Sequence, residues 1–368
     1  MRDPWRCGLP DKKPAGLPPG ALEPREAVLR MAAYSPPTGG RADKLRLDFN
    51  ENTVGASPRV VESLRQRVTD CQLAVYPEYG EVKRRFAQFF GVDEDEFVLS
   101  NGTDEAIQVL VNTYIDDGDE VIVLTPSYAM YRFYSELAGA EVREVPYRAG
   151  TLAFPLEELL EAIGSKTRAV LIANPNNPTG TGCARAAVEQ ILNKALGAAV
   201  LIDEAYYEFS GVTALPLLNE YGNLFVSRTF SKAYGMAAMR LGCLFSQSQN
   251  VEFLHKAQSP YSVNTIATIA ALAAIDDSEY IRKYVGEVLA ARELLYVEFE
   301  KLGIHYFKSQ ANFVLFEAGV RAIPVRDELR KRGVLIRDRS YEIPGCVRVT
   351  AGTRDQIRRF VQELKEIW

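Results

Sequence analysis

A rhythm between about residues 60 and 255 limits the possible folds most. Short apolar runs at Glu120–Thr125, Ala169–Ala173, Ala199–Ile202, Leu224–Ser227 and Leu241–Phe245 alternate with stretches of helical periodicity such as Thr103–Ile115 and Ala184–Leu196. Runs that stay apolar at successive positions are strands buried on both faces, and strands joined through helices make a mostly parallel α/β sheet. Ligands of such sheets bind beyond the carboxyl ends of the strands. Those ends are where this sequence carries its least ordinary residues, so the rhythm predicts the place of a site as well as a fold class.

After about residue 265 the texture changes. A long charged helix near Ser278–Leu302 precedes the apolar run Asn312–Phe316, a helix at Val325–Arg332 and two short strands around Val334–Arg337 and Val347–Thr350. A last helix opens at Thr353, where Thr353 and Gln356 have the spacing of a capping box. This pattern predicts a smaller α+β domain, and 368 residues suffice for two cores. The expected organisation is a flexible N-terminal tail over 1–24, rich in Pro and Gly, then an arm over 25–60 joining the small domain. A large domain over 61–255 and the small domain over 256–368 follow. Within the arm, Arg25–Tyr34 is expected to form a short helix before Pro36 and Pro37.

Several functions are disfavoured. Net charge is −5 with basic residues scattered among acidic ones, so no nucleic-acid footprint is expected and a small-molecule partner fits better. Cys7, Cys71, Cys183, Cys243 and Cys346 are odd in number and form no CxxC pair, which predicts neither a disulfide framework nor a metal site. A reducing cytoplasm is the expected location. No window has the roughly 18 uncharged apolar residues of a membrane span. His255 and His305 lack a motif partner for triad chemistry.

Lys232 follows the run Leu224–Ser227, beside Thr229 and Ser231 and eight residues before Arg240. A lysine there with a lowered pKa can form an imine with an aldehyde; standing alone, it would read as a surface residue opening a helix. Upstream, Asp203 and Glu204 end a buried run. A carboxylate at such a place can hold a pyridine nitrogen protonated, with a helix cap or a metal ligand as the plainer alternatives. The pair also resembles a Walker B end, but no GxxxxGK[ST] loop completes it.

The loop NPNNPTG over 174–180 places Asn177 where it can donate to a phenolate oxygen, with Tyr206 as a second donor. Gly102, Thr103 and Asp104 open a helix, and their free N–H groups would face an anion; Thr103 also reads as a plain N-cap. Thr229, Ser231 and the forked guanidinium of Arg240 can add donors to that phosphate cup. Tyr128, just past a strand, can stack on an aromatic cofactor or sit in the core.

In this order, the GTD cup, Tyr128, NPNNPTG, the DEAY run 203–206 and the Lys232–Arg240 segment resemble the class I/II aminotransferases of fold type I, within which the chain is most similar to the histidinol-phosphate branch. The likeness runs from about Val28 to the C-terminus. It implies an aspartate aminotransferase-like fold with pyridoxal 5'-phosphate held on Lys232. Asp203 would sit on the ring nitrogen, Asn177 and Tyr206 on the phenolic oxygen, and Tyr128 against the ring. Tyr76 would reach the phosphate of a partner subunit, which implies a homodimer with shared sites.

For substrate, the resemblance implies Arg348 for the α-carboxylate of glutamate or 2-oxoglutarate and Arg337 for a substrate phosphate. Tyr34 and Asn50 match a substrate-side arm. Thr53 and Val54 depart from the family, which has Pro and an aromatic there. The implied reaction is transamination of L-histidinol phosphate with 2-oxoglutarate, in histidine biosynthesis. The rivals are an aminotransferase for aromatic or other amino acids, a threonine-phosphate decarboxylase relative and a non-catalytic regulatory module. For Arg337, an ion pair with Asp338 is the plain alternative.

Overall fold

The computed structural model describes residues 22–31 and 39–368. Tyr34, Cys7 and nearly all of the expected tail lie outside the described residues. Of the expected arm helix, Glu26–Arg30 is helical and Met31 is already extended, so the helix is shorter than the sequence pattern suggested.

The chain enters the sheets at the two-residue strand β1 (Leu45–Arg46). Seven strands then build the main sheet: β2 (Phe97–Ser100), β3 (Glu120–Thr125), β4 (Glu141–Pro146), β5 (Thr167–Ala173), β6 (Ala199–Asp203), β7 (Leu224–Thr229) and β8 (Gly242–Phe245). Their spatial order is β2-β8-β7-β6-β5-β3-β4. Only β8 among these runs against its neighbours, so the sheet is mostly parallel, as the apolar rhythm predicted. The five predicted runs are β3 and β5 to β8, within two residues at each end. β4 escapes the pattern because it is the edge: of its side chains only Val145 is buried, so no apolar run marks it.

Alternate residues of the central strands feed two cores. Ile122, Val170, Ile172, Val200 and Ile202 join the larger one, while Val121, Val123, Leu171, Leu201 and Phe225 pack with Ala106, Ile107 and Leu110 of the helix Gly102–Tyr114. Both faces of the sheet are covered, which is why the runs in its central strands stay apolar at successive positions.

The C-terminal region adds β9 (Tyr306–Phe307), β10 (Phe313–Glu317), β11 (Val334–Leu335), β12 (Arg337–Asp338) and β13 (Cys346–Thr350). A four-stranded antiparallel sheet runs β12-β13-β10-β9, and β11 instead pairs in parallel with β1. The single strand expected around Val334–Arg337 is therefore two strands that serve different sheets. The last helix, Arg354–Lys365, carries the predicted capping box, with Thr353 Oγ1 accepting from the Gln356 N–H at 3.3 Å. Among the described residues no helix is long and apolar enough to cross a membrane.

Candidate active site

The carboxyl ends of the parallel strands and the arginines of the small sheet meet at one place. Ala173, Asp203 and Ser227 are register partners at the ends of β5, β6 and β7. Asp203 is buried and surrounded by neutral donors. Tyr131 Oη donates to Oδ2 at 2.8 Å, while Ser227 Oγ and the Ala205 N–H donate to Oδ1 at 2.8 and 3.2 Å. Burial pushes its carboxyl up to about 6, against the pull of these three donors. No cation pairs with Asp203 among the described residues, so it retains capacity for a cationic partner.

One strand over, the turn after β7 carries Lys232, half-buried, whose Nζ donates to the Phe49 carbonyl at 3.2 Å and lies 5.8 Å from the centre of the Tyr206 ring. Tyr206 Oη accepts from Asn50 Nδ2 at 3.0 Å, leaving its own proton to donate elsewhere. Asn50 adopts a left-handed backbone (φ 57°), which asparagine tolerates better than most residues. Its N–H donates to Thr350 Oγ1 at 3.1 Å, and its carbonyl accepts from Asn312 Nδ2 at 3.1 Å.

The anion cup begins where β2 gives way to the helix Gly102–Tyr114. The first N–H groups of a helix have no partner within it, so those of Gly102, Thr103 and Asp104 are available. Thr103 is not the N-cap, contrary to the plainer sequence alternative: Asn101 holds that position and the Thr103 hydroxyl is buried without a hydrogen-bond partner. Gly102 has φ 77°, and a Cβ there would meet the Arg240 guanidinium at 2.4 Å. Arg240 pairs with Asp104 at 3.1 Å, and Tyr128 Oη donates to the same carboxylate at 2.6 Å, so Tyr128 stands at the rim of the cup. Thr229 and Ser231 are buried beside Lys232, with the Ser231 N–H bonded to Thr229 Oγ1 at 3.1 Å.

On the opposite wall, Arg337 of β12 and Arg348 of β13 are direct partners across the antiparallel pair. Directly opposed residues share a face of the sheet, and like charges so placed destabilise it. Arg348 is buried. One end of its fork donates to Asn177 Oδ1, the other to the Asp48 carbonyl at 2.7 Å, and its Nε has no partner. With Asn177 Oδ1 so engaged, the Asn177 amide group is left to donate. Arg337 forms no ion pair among the described residues; its neighbour Asp338 faces Arg326 at 3.7 Å and binds Ser340. The ion-pair alternative for Arg337 thus has no support.

Of the expected site residues, Tyr76 alone sits apart: it is 74% exposed and its ring stacks on Tyr261, centroids 4.5 Å apart. Tyr34 is not described. Reading the sequence missed Tyr131 and Ser227 as partners of Asp203, and Asp48 and Phe49, whose carbonyls bind Arg348 and Lys232. Tyr131 lies three residues after Tyr128, on the turn that opens the helix Ala129–Ala138; its spacing from Asp203 carries no local signal.

A family model described as aminotransferase class I and II matches residues 42–364. A histidinol-phosphate aminotransferase of Symbiobacterium thermophilum is 40% identical over 359 residues, covering 93% of this chain and 97% of that one. One from Geobacillus sp. (strain WCH70) is 34% identical and covers 96% of each. Among solved structures, the histidinol-phosphate aminotransferase of Sinorhizobium meliloti in complex with pyridoxal-5'-phosphate superposes with TM-score 0.84 at 22% identity, over 95% of this chain and all of that one. An aspartate aminotransferase of Thermus thermophilus with maleate gives 0.76 at 23% identity, over 89% and 92%. At these identities the structural likeness speaks for the fold.

Proposed function

This chain belongs to the class I and II aminotransferases, and from that premise we propose that it is a pyridoxal-phosphate-dependent histidinol-phosphate aminotransferase, converting L-histidinol phosphate and 2-oxoglutarate to imidazole acetol phosphate and L-glutamate. The observation that carries the specificity is the opposed pair Arg337 and Arg348, neither in a direct ion pair among the described residues, while the buried Glu342 that acts on both is paired with Arg339. One half-reaction brings a dicarboxylate, the other a phosphorylated amine lacking a carboxylate. A site with two neighbouring guanidiniums, neither held in a direct ion pair, suits both in turn.

The residues present fit the cofactor. The orphaned Thr103 hydroxyl, the first N–H groups of the Gly102 helix, Thr229, Ser231 and Arg240 would hold its phosphate. Asp203 would keep the ring nitrogen protonated, and a positive charge there would draw its carboxyl back toward the ordinary range. Asn177 and Tyr206 would bind the phenolic oxygen, with Tyr128 against the ring. Pyridoxal phosphate, when bound, supplies an aldehyde that condenses with amines and a ring that accepts the electron pair of a breaking bond.

The remaining work falls to the chain. Lys232 Nζ would hold the aldehyde and, when free, would move the proton at the carbon bearing the substrate amine. Asn50 fixes the Tyr206 hydroxyl, and Arg348 grips the carboxylate of glutamate or 2-oxoglutarate while Arg337 takes the phosphate. The same reading makes the protein a homodimer in which Tyr76 serves the partner's phosphate site, with a large domain over 61–255 and a small one over 256–368. Cytoplasmic location goes with it. Turnover of L-histidinol phosphate against phenylalanine, each with 2-oxoglutarate, tests the proposal: preference for the phosphorylated donor is expected. Preference for phenylalanine, or carbon dioxide release without an acceptor, would overturn it.

A further inference from the structure

The segment Asp48–Glu51 touches most of the site. The Asp48 carbonyl accepts from Arg348, the Phe49 carbonyl from Lys232, and Asn50 binds Tyr206. The Phe49 ring centre lies 5.4 Å from the Arg337 guanidinium carbon. The buried Glu342 lies within electrostatic reach of Arg337 but is already paired with Arg339, and two further carboxylates flank the Phe49 ring in sequence, Asp48 and Glu51, as candidate counter-ions for Arg337. Neither serves as one. Arg41 takes both. Its Nε and one terminal nitrogen grip Asp48 at 3.0 and 2.8 Å, its terminal nitrogens reach Glu51 at 2.7 and 3.3 Å, and its guanidinium carbon is 4.2 Å from the same Phe49 ring. A planar fork can hold two carboxylates in this way, where a lysine cannot.

We propose that Arg41 is a positioning residue for donor specificity: by occupying Asp48 and Glu51 it keeps the neighbouring Arg337 out of a direct ion pair and open to the phosphate of the substrate. The inference rests on the reading of Arg337 given above and goes beyond it, because Arg41 touches no substrate. Asp48 is buried and has little room to move, whereas Glu51 is half-buried and its other cation, the exposed Arg46, reaches it only at 4.0 Å, so Glu51 is the acid free to turn toward Arg337 when Arg41 is lost.

Arg41→Gln holoenzyme tests this with two readouts: steady-state constants for L-histidinol phosphate and 2-oxoglutarate, and calorimetric titration with inorganic phosphate. Expected is a rise of roughly tenfold in KM for the phosphorylated donor and a similar loss of phosphate affinity, with kcat and the 2-oxoglutarate KM within about twofold. Adding Glu51→Gln to Arg41→Gln should restore most of both. Arg41→Lys, which keeps the charge but not the fork, should lie between, and it serves as the parent for the Glu51→Gln rescue where the Gln variant does not fold. An equal rise in both KM values, or no rescue by Glu51→Gln, would overturn the proposal by reducing Arg41 to a brace for the segment. If the wild-type enzyme ignores histidinol phosphate, the reading of Arg337 fails, and the phosphate titration still decides the role of Arg41.

Discussion

Arg228 and Arg348 are each 4% exposed, yet the molecule treats them oppositely. Arg228, beside the cofactor-side strand ends, has a complete set of partners. Its Nε meets Glu204 at 2.7 Å, a terminal nitrogen donates to Thr213 at 3.0 Å, and its guanidinium carbon is 3.4 Å from the Tyr207 ring centre. Arg348, in the small sheet, has an amide, a backbone carbonyl and an orphaned Nε; no carboxylate among the described residues is at ion-pair distance, and the buried Glu342 within electrostatic reach is paired with Arg339. Burial, then the nearby charge of Arg339, pushes it down to about 10. An unpaired buried cation is costly, and this fold demonstrably can supply a partner for one. The difference places Arg228 in the frame and, under the proposed function, makes Arg348 a group whose anion would arrive with the ligand.

The comparison can be broken most directly at Glu204. Glu204→Gln strips buried Arg228 of its hydrogen-bonded carboxylate, leaving only Glu208, within electrostatic reach but outside ion-pair distance, and should cost about 3 kcal/mol in urea unfolding, whereas Arg348→Met should cost under about 1 kcal/mol or stabilise. Equal losses would erase the distinction. Next, Arg348→Met should lower kcat/KM for 2-oxoglutarate by roughly 100-fold or more, about 3 kcal/mol, because a desolvated charge pair with the ligand is lost. Arg337→Ala sharpens the contrast within the small sheet. Its kcat/KM for L-histidinol phosphate should fall about 10- to 30-fold, with 2-oxoglutarate nearly unaffected, since Arg337 is only half-buried.

A pH dependence is expected of Asp203, the anionic counterpart of Arg348. Its folded carboxyl titrates near 6, above the reference 3.8, so its contribution to stability is full below pH 3.8 and is lost as pH rises through 6. Unfolding of the cofactor-free protein should show a loss on the order of 3 kcal/mol across that window, absent in Asp203→Asn. An identical pH profile in the variant would show that the carboxyl is not raised.

Much of the cofactor side was legible because strand, turn and reactive residue are contiguous: Asp203 ends β6, Lys232 follows β7 and Gly102 follows β2. The substrate side was legible as residues but not as geometry. That Arg337 faces Arg348 depends on the register of β12 against β13, and β11, two residues earlier, goes to another sheet altogether. Local apolar pattern contains no information about which distant strand completes a pair. Tyr131, Phe49 and Arg41 were missed for the same reason: a tyrosine 72 residues from Asp203 and an arginine 7 from Asp48 acquire meaning only through side-chain contacts.

The central claim, that Arg348 is left without a carboxylate for the sake of a ligand, is tested most directly by calorimetric titration of the holoenzyme with glutarate, a dicarboxylate that cannot react. Wild type should bind it and Arg348→Met should lose at least about tenfold in affinity, a difference of 1.4 kcal/mol or more. Equal affinity in the two proteins would contradict the account.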